Sequence, residues 1–97
     1  MAKAYFIGQF EIQDPAGYDV YRSQTAATIA PHGGRFIVRG ERVHNFEGEP
    51  PLPRVVVIEF PSFDQAKAWY ESDAYRKLIP IRQKAANGRS FLVEGAE

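Results

Sequence analysis

In 97 residues the chain has no cysteine, one methionine, one tryptophan and two histidines, and its twelve basic and twelve acidic side chains cancel. Each scarcity closes a class of function. Without cysteine there is no disulfide framework, no thiolate metal site and no cysteine nucleophile, a composition at home in a reducing compartment. Two imidazoles, His32 and His44, fall short of the three or four ligands a protein-held transition metal usually needs, so no metal is expected. Zero net charge leaves no electrostatic footprint for nucleic acid or an anionic membrane. No run approaches the roughly 18 consecutive apolar residues of a membrane span. The opening MAKAYFIGQF carries one lysine, and Gln9, Glu11 and Gln13 break any apolar core, so it does not read as a signal peptide. A soluble, cytoplasmic protein is the expectation. No Ser-His-Asp arrangement, phosphate-cradling glycine loop or dinucleotide fingerprint is present, and no cofactor is expected.

What is there reads as one globular domain over residues 1–97, with 44% hydrophobic and 25% charged residues. KAYFIGQFEIQ, 3–13, alternates as a strand, with Ala4, Phe6, Gly8 and Phe10 on one face. Asp14-Pro15 starts a helix, Asp as N-cap and Pro where its missing N–H costs nothing. Tyr18, Tyr21, Thr25 and Ile29 carry that helix from 15 to 30, and Pro31 with Gly33-Gly34 stops it. A second strand is expected over 35–46, with a bulge or close approach at Gly40. GEPPLP, 48–53, is a stiff loop, and RVVVIEF, 54–60, is the third strand. Ser62 with Gln65 fits a capping box for the next helix, whose stripe is Ala66, Trp69 and Tyr70. Ser72-Asp73 marks a second start, Pro80 a kink or restart, Asn87-Gly88 the helix end, and RSFLVEG the last strand.

The order β-α-β-β-α-β is that of a ferredoxin-like α+β sandwich: a four-stranded antiparallel sheet with helices on one face. Val55, Val56, Val57 and Ile58 run without a polar break. One face of that strand meets the helices; the other has no intrachain cover and would leave an apolar patch larger than monomers usually tolerate. A homodimer packed sheet to sheet is the economical solution.

Several stretches carry a family resemblance. They are Asp14-Pro15 with Tyr18, Gly33-Gly34-Arg35-Phe36, Val38-Arg39-Gly40, Val56 to Ser62, and Trp69-Tyr70-Glu71-Ser72 with Tyr75 and Arg82. Over nearly its whole length the chain resembles the domain of unknown function 1330 family. That resemblance implies a dimeric α/β barrel, the architecture of small monooxygenases of antibiotic biosynthesis, muconolactone isomerases and haem-degrading oxygenases; it implies no established activity. The chain departs from it at Arg39-Gly40-Glu41, where many members resemble Arg-Gly-Gly, and Glu41 takes positive φ less cheaply than glycine.

Arg39 and Glu59 sit among apolar strand residues, so each is expected to find a partner: a salt bridge across the dimer face or, for Arg39, an anion or carbonyl of a ligand. Trp69, Tyr70 and Tyr75, with Tyr18 and Tyr21, wall a pocket between helices and sheet or simply fill the core, and Arg82 adds a polar contact. A tyrosine hydroxyl beside an arginine stabilises an enolate or serves in proton transfer if its pKa is lowered. Arg39, Tyr75 and Arg82 are therefore the catalytic candidates. His32, at a helix end, and His44, on a strand near an edge, are read as structural. Two functions stand side by side. One is a homodimer binding a small aromatic or carbonyl-bearing molecule, with cofactor-independent oxidation or isomerisation as its chemistry. The other is a non-catalytic interaction module built around its dimer face. The enzyme reading rests on fold analogy.

Overall fold

A computed structural model describes residues 2–96. The elements run β1 (Ala4–Ile12), α1 (Pro15–Ile29), a 3₁₀ turn (Ala30–His32), β2 (Arg35–Gly40), β3 (Arg54–Phe60), α2 (Phe63–Tyr70), α3 (Asp73–Arg76), α4 (Ile79–Ala85) and β4 (Ala86–Glu94). The strands form one antiparallel sheet in the order β2-β3-β1-β4. This is the ferredoxin-like βαββαβ arrangement, with the second helical crossover broken into three pieces.

Local chemistry starts the helices, and stops the first of them, as the sequence predicts. The Asp14 carboxylate accepts from the Gly17 N–H at 3.2 Å, and Pro15 occupies the first turn of α1. Gly33 ends the 3₁₀ turn at φ 77°, in the left-handed region. The Ser62 hydroxyl caps α2 by accepting from the Gln65 N–H at 3.1 Å. The Gln65 amide does not return to the Ser62 backbone; it donates to the His32 carbonyl at 3.4 Å and so ties α2 to the end of α1. Ser72 caps α3 by accepting from the Tyr75 N–H, and Pro80 sits in the first turn of α4, where it restarts the helix.

Three expectations are corrected. The second strand ends at Gly40, not at residue 46, so His44 lies outside the sheet and stacks edge-on with Phe46, centroids 4.8 Å apart. Gly40 pairs with Val55 near the start of β3, and prolines at 50, 51 and 53 have no N–H to extend the ladder. The register shift falls between Phe36 and Val38, while a Cβ on Gly40 would meet nothing within 4 Å. The bulge needs no positive φ, so it needs no glycine. Asn87-Gly88 does not end a helix: α4 passes straight into β4, whose first residues pair with Ile12, Glu11 and Phe10. Glycine is required at 88 for closeness, since a Cβ there would lie 2.3 Å from the Phe10 ring.

Alternation along the strands separates two faces. Ala4, Phe6 and Phe10 of β1 with Val56, Ile58 and Phe60 of β3 are buried beneath the helices. Tyr5, Ile7, Val55, Val57 and Glu59 point the other way, in register with Phe91 and Val93 of β4. Phe91 is half exposed, and Val38 and Val93 are each 42% exposed. The molecule is a slab of 35 × 34 × 16 Å, one sheet and one helical layer thick.

Candidate functional site

The helix-covered side of the sheet does not close completely under α1. Tyr18, Tyr21, Arg22 and Thr25 project from one helical face onto Phe10 of β1, Arg39 of β2 and Arg54 of β3, and a narrow cleft remains between them. It holds about 20 Å³ of free space, room for roughly one water molecule. Beyond Tyr18, Arg22 and Arg54 it meets an outer groove of about 340 Å³ that also touches Asp19 and Glu41. That volume lies at the small end of ligand pockets, which run from roughly 300 to 1,000 Å³.

Three guanidinium groups line the inner cleft, and among the described residues no carboxylate does. Arg22 is held by Asp19 at 2.9 Å. Arg39 lies over the Phe36 ring, 4.7 Å from its centroid. Arg54 stands 5.5 Å from the centroid of Tyr18, and its side chain is only 13% exposed. Its Nε is buried and has no hydrogen-bond partner among the described residues. A buried donor left unmade costs about 1–3 kcal/mol, so this is an unusual place for an unpaired N–H. Burial pushes the Tyr18 phenol up, with Arg54 pulling it only part of the way back. Tyr18 is therefore a neutral hydrogen-bonding group at neutral pH.

A second polar group lies deeper. Tyr21 and Tyr75 share a hydrogen bond of 2.8 Å, and Arg82 Nη1 donates to the Tyr75 hydroxyl at 2.7 Å. The predicted proximity of tyrosine and arginine is present. The pKa runs the other way from what a tyrosine base requires: burial, reinforced by Tyr21, pushes the Tyr75 phenol well up. Burial alone would push the Arg82 guanidinium down, but Tyr75, Tyr70 and Tyr21 hold it above its usual value. Arg82 is thus a permanent cation, packed against the Phe10 and Tyr21 rings at 5.5 and 6.0 Å. Its far side borders a polar hollow of about 110 Å³ with Gln83, Arg89 and Ser90.

The remaining predicted residues separate. Trp69 is fully buried, 4.2 Å from the Tyr75 ring and 5.1 Å from Phe6, with its indole N–H donated to Thr28 at 3.0 Å. Tyr75 is equally inaccessible, so both pack the core beneath α2 and α3. Tyr70 borders a different groove, of about 230 Å³, with Phe6, Lys67 and Phe91. Arg39 and Glu59 do not pair: Arg39 sits in register with Val56 on the helix side, while Glu59 sits in register with Tyr5 on the open side. Glu59 bonds Arg35 at 3.1 Å and has Lys3 at 3.7 Å. Neither histidine joins a ligand set; among the described residues no group of three His, Cys, Asp or Glu side chains could hold a metal ion.

Sequence reasoning missed Arg54. The signal was available: counting back by two from Phe60, Ile58 and Val56 puts Arg54 on the covered face. Arg22 and Thr25 follow equally from the spacing of α1, one turn from Tyr18 and Tyr21.

No curated protein matches the chain. Among solved structures, a protein of unknown function from Rhodopseudomonas palustris superposes with a TM-score of 0.76 at 17% identity, over 99% of this chain and 84% of that one. SnoaB, a cofactor-independent oxygenase from Streptomyces nogalater, superposes at 0.70 and 13% identity, over 100% and 96% of the two chains. A dimeric ferredoxin-like protein of unknown function from Thermobifida fusca superposes at 0.65 and 14%, over 96% and 91%. At such identities these likenesses establish the fold alone. The family match covers almost everything described: residues 3–96 fit the family described as Domain of unknown function (DUF1330), and the chain belongs to it.

Proposed function

We propose that the protein is a homodimer whose subunits each bind a small aromatic or carbonyl-bearing molecule at the cleft under α1. The observation that carries this reading is Arg54, a nearly buried guanidinium with an unpartnered Nε at the junction of the inner cleft and the outer groove. Tyr18 offers a ring face and a neutral hydroxyl, Tyr21 a second ring, and Arg39 and Arg54 polar contacts for a carbonyl oxygen. Tyr75 and Arg82 fix the Tyr21 hydroxyl from behind. Water-sized as it stands, the inner cleft admits a ring edge only if Tyr18 or Arg54 changes rotamer; the outer groove needs no such change.

The dimer is supported by the apolar open face and by surface area. A monomer of this mass exposes roughly 5,600 Å², whereas this chain exposes 6322 Å². The extended 41–53 segment accounts for part of the excess. A standard interface takes roughly 800 Å² from each partner, which a 35 × 34 Å face supplies with room to spare.

Cofactor-independent oxidation extends the binding reading and draws support from the shared fold with SnoaB. In such chemistry the substrate, as an enolate or phenolate, supplies its own electrons to O₂: a ring CH₂ becomes C=O and the second oxygen leaves as water. Arginines 39 and 54 suit the anion that forms. The test is a thermal-shift panel of hydroxylated aromatic ketones and quinols, with oxygen consumption followed for each binder. A raised melting temperature abolished by Arg54→Gln supports binding, and O₂ uptake above the uncatalysed rate supports oxidation. A panel that shifts nothing favours the interaction module.

A further inference from the structure

The outer groove carries a feature that a site for neutral aromatic molecules does not explain. Glu41, 68% exposed in its side chain, stands with Oε1 3.5 Å from Arg54 Nη1. That is an ion pair at long reach, and the buried Arg54 Nε has no hydrogen-bond partner among the described residues, although a guanidinium has five N–H donors in a planar fork. A carboxylate that matched the fork would make two parallel bonds of about 2.8 Å. Glu41 reaches Arg54 from the irregular segment after β2 and pairs with it through Nη1, leaving Nε unmet.

We propose that the ligand carries a carboxylate, that Arg54 is the residue that recognises it, and that Glu41 is a weak internal competitor the ligand displaces. This rests on the reading of the cleft as a small-molecule site and names the class of molecule. Arginines 22, 39 and 54 give the inner cleft a positive lining in a chain whose net charge is zero. Positive charge gathered on one aromatic cleft selects an anion. Asp19 already pairs with Arg22 and Arg39 lies over the Phe36 ring, while the Arg54 Nε is a buried donor left without a partner among the described residues. Tyr18, with its ring 5.5 Å from the same guanidinium, offers a face on which a ligand ring packs beside its acid group. The body of the molecule lies in the outer groove between Ile12, Pro15 and Tyr18, which is large enough for a single-ring acid. An acid held this way excludes its own amide or ester, because these leave the guanidinium without a charged partner.

Amide-detected NMR titration of the full chain tests the proposal with benzoate, salicylate and phenylacetate, each beside its primary amide, at neutral pH. The acids bind at least about tenfold tighter than the amides and shift the resonances of Tyr18, Arg22 and Arg54. Arg54→Gln removes the preference, and Arg54→Lys restores part of it while losing the bidentate geometry. Glu41→Gln tightens the acids up to about fivefold, the worth of an exposed ion pair, and leaves the amides unchanged. Equal binding of acids and amides, or a preference that survives Arg54→Gln, overturns the proposal and leaves the cleft as a site for neutral molecules. No tightening in Glu41→Gln removes Glu41 from it. Cleft resonances that stay still for every compound at millimolar concentration overturn the small-molecule reading itself, and this proposal with it. Glu41 is largely exposed, so that variant keeps its fold and remains informative if Arg54→Gln does not.

Discussion

Arg82 shows how a charged side chain is kept inside a chain this small. It is 7% exposed, and among the described residues no carboxylate lies within 4 Å of it, so the Tyr75 hydroxyl, with Tyr70 beside it, and two aromatic faces satisfy it. Tyr75 is the hub of that group, since its hydroxyl meets both Arg82 and Tyr21. Tyr75→Phe breaks both bonds and leaves a buried cation short of a partner, at a cost of about 2–3 kcal/mol; Tyr21→Phe breaks one and costs about 1 kcal/mol. Urea midpoints of the two variants check the order, and the reverse order refutes the hub. Glu59 answers to pH. Partial burial by itself would raise its carboxyl, but the Arg35 hydrogen bond and the charges of Lys3 and Arg35 bring it below its usual value. Its contribution is therefore present above the unfolded carboxylate range and lost as pH falls through the folded value. The melting temperature of the wild type exceeds that of Glu59→Gln at neutral pH, and the gap closes as pH falls below the ordinary carboxylate range. A gap that persists in acid would show that shape, not charge, holds Glu59 in place.

At the scale of elements, local signals succeed where the deciding atoms lie within a turn of one another. Asp14, Ser62 and Ser72 each cap the helix they precede, because a cap is made between a side chain and an N–H three residues on. Glycines are harder to read, because a glycine can mean a turn, a close approach or nothing. Gly34 means closeness: a Cβ there would sit 2.4 Å from Ile29 Cγ2 and 2.5 Å from the Phe60 ring, while Gly40 has open space around it. Gly34→Ala thus destabilises by about 1–3 kcal/mol through overpacking. Gly40→Ala, at the edge strand's end, changes stability by less than about 0.5 kcal/mol. Chemical denaturation of the pair checks both values. The misplaced end of β2 and the Asn87-Gly88 signal have one cause. Each strand's length is set by what its neighbour offers for pairing, and that neighbour is distant in sequence.

For the whole molecule the question is the bare side of the sheet. Its centre, Ile7, Val55, Val57 and Phe91, is apolar, and Glu59 with Arg35 and Lys3 lies toward one end. If a second copy covers that side, Val57→Glu places a carboxylate from each subunit in the apolar interface, and dimerisation weakens by at least about a hundredfold. Sedimentation equilibrium at micromolar concentration checks it. A wild-type monomer there, or a variant that dimerises as well as the wild type, refutes the sheet-to-sheet interface. If the dimer forms, its loss leaves the helix-side cleft unaltered, because Val57 and Val56 point to opposite faces of β3.

The order of strands and helices, their caps and the two-sided hydrophobicity of RVVVIEF were all legible in the amino-acid sequence. These depend on alternation, helical spacing and contacts within a few residues, which any local stretch carries with it. The candidate site was legible only in its ingredients. The aromatic group of the sequence was divided between a solid core at Trp69 and Tyr75 and a cleft at Tyr18 and Tyr21, and Arg54 took the place expected of Arg82. That division follows from how α1 lies across β2 and β3 and from strand register, which are settled between residues distant in sequence. Side chains meet or miss by the sum of such long-range choices, so only the folded chain decides which arginine faces an open cleft.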